Sequence, residues 1–166
     1  MTRSRRATGF PRWRLRPTAA LRRAHGAGRS PWWFSSDLSG RFDLVCPEGT
    51  CYLAMDAMTA LRERFGHDLV DQGVITFETA ARTLVSTLQL PTGRWLANTC
   101  HDDAAGYGVT RELGTCADYD IPQAWAAVFH GAGLAGIRYQ TRFTTGPRPN
   151  AAALRIRPDS GSSVAK

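Results

Sequence analysis

The chain has 166 residues, 43% of them hydrophobic, and a formal net charge of +7. That length fits one domain and hardly two, with enough apolar residues for a buried core. No apolar run approaches the roughly 18 residues a membrane-spanning helix needs, so none is expected.

The charge is unevenly placed. Residues 1–30 hold nine Arg and no acid, while the rest carries 12 Lys plus Arg against 14 Asp plus Glu, a net of −2. The body is therefore near neutral, and the basicity sits at the N-terminus. Residues 1–20 lack periodicity and carry Pro and Gly breakers. They are expected to form a basic, disordered arm, with phosphate contacts to nucleic acid as the alternative. "RSRRATGF" is faintly similar to a twin-arginine signal, but no apolar stretch follows it.

Residues 21–38 read as a short strand and a loop in which Trp32, Trp33 and Phe34 must bury against something. "RFDLV" (41–45) and "TCYLA" (50–54) are apolar runs separated by "CPEGT", which predicts a hairpin or bulged loop. Asp56 is a good N-cap for a helix that Gly66 would end, with Met58, Leu61 and Phe65 as its buried stripe and Glu63 off that stripe. Residues 69–81 are ambiguous. Strands are expected over 82–90 and 94–99, and a short helix with irregular flanks over 101–114. A second clear helix is capped by Asp120, has Pro122 in its first turn, and ends at Gly131 or Gly133. Residues 134–143 and 152–157 read as strands, and the tail 158–166 as disordered. Strands, helix, strands, helices, strands is an α+β order, without the regular alternation of a doubly wound sheet.

No glycine-rich dinucleotide or P-loop signature is present, so any nucleotide is held without those loops. The four cysteines, Cys46, Cys51, Cys100 and Cys116, form no C-x-x-C pair, and no metal site is expected. Four reduced thiols of a cytosolic protein is the reading, with a Cys46–Cys51 disulfide across the turn as the alternative.

Arg41, Tyr52 and Glu63 stand close together in the chain. A guanidinium is a planar fork that grips phosphate oxygens with two hydrogen bonds. A Tyr face stacks on a flat ring. A carboxylate aimed at a sugar stabilises an oxocarbenium-like transition state. Each residue alone also has an ordinary explanation: a surface or ion-paired Arg, a core aromatic, a solvated helix Glu.

The wider wording "GRFD…GTCYLAMDAMTALRE", continued by "GVTRELGTCADYDIPQAWAAVFHGAGLAGIRYQTRF" and preceded by "LRRAHGAGRSPWWFSS", resembles the RES-domain family over residues 21–157. The resemblance implies a single domain with a mixed β core shared with ADP-ribosyltransferase toxins. It implies an enzyme that cleaves the nicotinamide–ribose bond of NAD+, with water or phosphate as acceptor and no further cofactor. It also implies a toxin restrained by a separate Xre-type antitoxin. Carried over, Arg23 and Arg41 would hold the pyrophosphate, Tyr52 would stack near the nicotinamide, and Glu63 would be the catalytic carboxylate. The family's Ser falls where this chain reads Gln140-Thr141, and Thr141 keeps the hydroxyl while adding a methyl that stiffens χ1. Three other readings stay open: ADP-ribosyl transfer to a macromolecule, a degenerate domain that only binds a partner, and a nucleic-acid-binding module using the arm.

Overall fold

The computed structural model describes residues 7–146 and 150–155. The strands are β1 (Arg12–Leu15), β2 (Leu21–Gly26), β3 (Thr50–Ala54), β4 (Thr83–Leu88), β5 (Arg94–Asn98), β6 (Gly136–Tyr139) and β7 (Ala151–Arg155). They form one mixed sheet in the order β1-β5-β6-β7-β3-β2-β4, in which only β5 and β6 run parallel. The helices are α1 (Ala57–Asp71), α2 (Phe77–Ala81) and α3 (Asp120–Gly131), with two 3-10 turns at Asp102–Tyr107 and Arg111–Gly114. This is the expected α+β architecture.

The strands owe their faces to period-two alternation, and cross-strand partners share a face. On one face, Ala97, Ile137, Ala151 and Ala153 pack with Phe10, Phe42, Phe129 and Tyr139. On the other, Leu15, Leu21, Cys51, Leu53, Leu96 and Leu154 form a second apolar layer, closed by Trp32 and Phe34. Trp33, the third aromatic of that cluster, stays 54% exposed.

Five expectations about the elements need correction. The folded body begins well before Leu21. Ala7 and Phe10 are buried, and β1 pairs with β5 from Arg12↔Ala97 to Leu15↔Arg94. The Arg14 guanidinium lies 5.1 Å from the Trp95 ring. Part of the "arm" is thus a sheet edge, and its arginines alternate with Trp13 and Leu15 as strand residues do. Residues 1–6 and the tail 158–166 lie outside the described residues.

Residues 41–45 are not a strand. Phe42, Asp43 and Leu44 are buried in a turn, and Thr50 pairs instead with Ser35. Buried apolar side chains are common to strands and to turns folded over a core, so the run alone did not separate them.

Helix α1 does not stop at Gly66 but continues to Asp71. Gly66 lacks a side chain for a different reason: a Cβ there would come within 2.2 Å of the Phe143 ring. The buried positions of α1 are Thr59, Ala60, Phe65 and Gly66, whereas Met58 is 56% exposed. Glu63 therefore lies on the inward side, one turn beyond Thr59 and Ala60. Finally, 134–143 yields only the four residues of β6, and residues 140–146 form a loop that turns back over α1. All four cysteines are free thiols.

Candidate active site

The sheet is weakest where β2 meets β3, joined by the single register pair Arg22↔Ala54. Beside that junction a cleft of about 260 Å³ opens between the sheet, α1 and the loops carrying Arg41, Tyr119 and Phe143. Glu63 is the single carboxylate on its wall, among Arg22, Arg23, Arg41, Arg64 and Arg142.

Glu63 is half-buried, and its Oε1 accepts a hydrogen bond from the Phe143 backbone N–H at 3.2 Å. Burial raises its pKa above the ordinary carboxylate value, opposed by the Phe143 N–H, the nearby Thr141 hydroxyl and the Arg41 charge. Asp56 caps α1 through the Thr59 N–H at 2.7 Å and also accepts from the Thr59 hydroxyl at 2.8 Å. Asn150 then bridges two segments: its Nδ2 donates to Thr59 Oγ1 and its Oδ1 accepts from the Thr141 N–H, each at 3.3 Å. The helix that carries Glu63 is thereby tied to the end of β6.

Thr141 is 1% exposed, and its hydroxyl has no partner within hydrogen-bond geometry among the described residues. It nevertheless lies close enough to Glu63 for its dipole to favour the carboxylate. Gln140 donates to the carbonyls of Thr144 and Gly146 at 2.9 and 3.0 Å, holding the loop that presents the Phe143 N–H.

Arg41 stands in the turn rather than at the start of a strand. It donates to the Cys116 carbonyl, and its guanidinium sits 4.8 Å from the Tyr119 ring. The turn is built on one buried carboxylate. Asp43 accepts from the Gly40 N–H at 2.9 Å, the Ser35 hydroxyl at 2.6 Å and the Tyr52 hydroxyl at 2.8 Å. The Phe42 N–H donates to the Tyr52 oxygen at 2.8 Å. Gly40 has to be glycine here, since a Cβ would fall 2.4 Å from Asp43 Oδ1 and 2.5 Å from the Tyr52 oxygen.

These bonds alter the role expected of Tyr52. Burial and the Asp43 charge push its pKa up, so the hydroxyl stays protonated and committed to the turn. Its ring lines the cleft, but its oxygen is the clamp that positions Arg41.

Arg22 and Arg23 leave β2 on opposite faces of the sheet. Register pairs Arg22 with Ala54 and Thr87, on the Tyr52 and Ala151 face, and Arg23 with Ser86 on the Leu21 face. The Arg23 guanidinium donates to the carbonyls of Pro31 and Trp33 and to Cys51 Sγ, at 3.1, 2.5 and 2.8 Å. It clamps the Trp-bearing loop. Arg22 donates to Thr87 Oγ1 at 2.6 Å and projects on the face that carries Tyr52. Period two offers the signal: Leu21 is core, so Arg23 follows it and Arg22 does not.

Tyr139 was not anticipated. It is buried at the end of β6 with its ring edge on Phe42 at 4.9 Å. Burial and the neighbouring Glu63 charge raise its pKa, so it remains a neutral phenol on the cleft wall. The structure thus brings together Arg41, Tyr52, Glu63 and Thr141 and adds Arg22 and Tyr139, while Arg23 borders the cleft with its guanidinium bonded to Pro31, Trp33 and Cys51. Among the described residues no helix is long and apolar enough to cross a membrane.

The fold is similar to a chain in the crystal structure of the M. tuberculosis MbcT-MbcA toxin-antitoxin complex, with a TM-score of 0.73 at 12% identity. The match covers 96% of this chain and 85% of that one. No curated protein sequence matches significantly. The RES-domain family model matches residues 13–166, which takes in all but the first residue of β1 and every element that lines the cleft, and the chain belongs to the RES-domain family.

Proposed function

We propose that the cleft binds NAD+ and cleaves its nicotinamide–ribose bond, with phosphate or water as acceptor, and that the protein is the toxin of a toxin–antitoxin pair. The observation that carries this reading is one half-buried carboxylate, Glu63, in a cleft otherwise rimmed by arginines. Arg41 and Arg22 suit a pyrophosphate, and binding energy gathered there positions the reacting ribose. The bond from the anomeric carbon to nitrogen breaks with its electron pair leaving on the nicotinamide. The pyridinium is neutralised as it departs, so no general acid is needed. Glu63 offsets the positive charge that appears on the ribose ring. A phosphate or water oxygen then adds to the anomeric carbon, and water gives up one proton. Thr141 supports the charged state of Glu63.

Incubating the pure protein with NAD+, with and without phosphate, tests the reading. Nicotinamide release under at least one condition is expected, and none under either would sink it. Label from NAD+ should end on a free sugar or sugar phosphate. Label retained on protein or nucleic acid would instead mark a transferase.

The two neighbouring arginines separate binding from folding. Arg22→Gln should raise KM for NAD+ by about tenfold, the scale of one charge-assisted hydrogen bond, with Tm nearly unchanged. Arg23→Gln should lower Tm instead, because it strands the Pro31 and Trp33 carbonyls. The reverse pattern would assign NAD+ binding to Arg23 instead.

Such an activity, unrestrained, would deplete the host cell. The restraining partner is a separate Xre-type antitoxin in this reading, and the arginine rim favours an acidic segment inserted beside Arg41. Expression of this chain alone should arrest growth, and co-expression with the neighbouring reading frame should restore it. Normal growth and normal NAD+ without that partner would refute the toxin assignment.

A further inference from the structure

Tyr119 stands at the cap of α3, a position that favours Ser, Thr, Asp or Asn because their short side chains accept a backbone N–H. The Tyr119 side chain makes no such bond. The Asp120 N–H is taken by Asp118 Oδ1 instead, at 2.9 Å. The Tyr119 ring is half-buried on the cleft wall and belongs to neither apolar layer of the sheet. Neither helix capping nor core packing therefore accounts for a tyrosine here. One contact does: the Arg41 guanidinium lies over the ring, 4.8 Å from its centroid.

The same short segment holds Arg41 in two further ways. Arg41 Nη1 donates to the Cys116 carbonyl and lies 3.7 Å from Cys116 Sγ. From the first turn of α3, Gln123 Nε2 donates to the carbonyls of Leu38 and Gly40 at 2.9 and 3.0 Å. Leu38 has a φ of 64°, a left-handed conformation that costs energy in a residue with a side chain and persists where its surroundings hold it. Residues 116–123 thus grip both the guanidinium and the turn that carries it. Nε and Nη2 of Arg41 bond to no described residue, and both keep accessible surface. A mobile arginine loses rotamer freedom when it grips an anion, and one already stacked and bonded has lost that freedom beforehand.

We propose that Tyr119 is the positioning residue of Arg41: its ring, with the Cys116 carbonyl, fixes the guanidinium so that the rest of the fork is ready for the anionic oxygens of the substrate. The consequence for affinity rests on the reading of the cleft as an NAD+ site. The ordering of Arg41 does not, and it can be measured in the protein alone.

The first measurement is heteronuclear relaxation at the Arg41 Nε–H in the full chain without ligand. The resonance should behave as a rigid group, become mobile in Tyr119→Leu, and return to rigid in Tyr119→Phe, which keeps the ring. An Arg41 as rigid in Tyr119→Leu as in the unsubstituted chain overturns the proposal. Mobility in Tyr119→Phe overturns it as well, since the hydroxyl and not the ring would then be the anchor.

The second measurement is KM for NAD+. Tyr119→Leu should raise it by about fivefold, the scale of one cation–π contact, and Tyr119→Phe should restore it. In an Arg41→Gln background the Leu substitution should add nothing, because it acts through Arg41. A full further rise in that background overturns the assignment. Should the chain not turn over NAD+ at all, the reading of the cleft fails and the relaxation result still decides the role of Tyr119. Tyr119→Met makes the same comparison if the Leu variant does not fold.

Discussion

Glu63→Gln is expected to lower turnover by about 10²-fold or more, the scale of losing one preorganised electrostatic stabiliser. The amide keeps the size of the side chain and an oxygen for the Phe143 N–H, so the loss isolates the charge. Affinity for NAD+ should change little, because the ground-state ribose carries no positive charge to stabilise. The same substitution should make the protein more stable at neutral pH. The sign follows from the direction of the pKa shift. Burial raises Glu63 above its unfolded value of 4.5, so between those two pKa values the folded state holds more protons than the unfolded state. Stability therefore falls as pH rises through that window, and the ionised group is a cost above it. Gln carries no such cost. The raised pKa should also place the acid limb of kcat/KM above the usual carboxylate range. Steady-state rates, an NAD+ titration and thermal melts at two pH values measure all of this. Retained turnover would remove Glu63 from catalysis, and a lower neutral-pH Tm would show that its charge is stabilising after all.

The second large effect concerns Phe10, in the stretch that reads as an arm. Its ring is 2% exposed and lies 4.6 Å from Phe129, 5.1 Å from Tyr107 and 6.2 Å from Trp125. Phe10→Ala should cost about 3–5 kcal/mol, the range for emptying a buried aromatic site. For a chain of this size that lowers Tm by about 10 °C. Deleting residues 1–20 should be worse, since it also removes β1 and uncovers the edge of β5. A truncated chain that melts with the full one would show that β1 contributes nothing. The same result would bring back the basic arm as a separable element.

The case of Phe10 shows where local reading runs out. "GFPRWRLRP" carries Arg at every second place from 12 to 16. In isolation that spacing serves a solvated tail as well as an edge strand whose outward positions are charged. What decides is the partner, and β5 lies some 80 residues away. The Phe42 turn failed for a related reason. Its apolar residues report burial, and burial does not state whether the backbone is extended.

Arg41, Tyr52 and Glu63 were legible as a group because a turn, a strand and a helix join them directly. Local signals such as the Asp56 cap set the path between them. The α+β order and the second helix were legible for the same reason, since period and breakers act over a few residues, although Tyr119 rather than Asp120 stands at that helix's cap. The RES-domain wording also depends on these local segments, and the sequence by itself carried the family. Only the tertiary structure could separate Arg22 from Arg23, since the two differ in which sheet face they occupy and that depends on strand pairing. It also gave Tyr52 its clamp on Asp43, and brought Thr141, Tyr139 and the Phe143 N–H from the far end of the chain to Glu63. Such contacts are made by long-range packing and register, which no short window of sequence encodes.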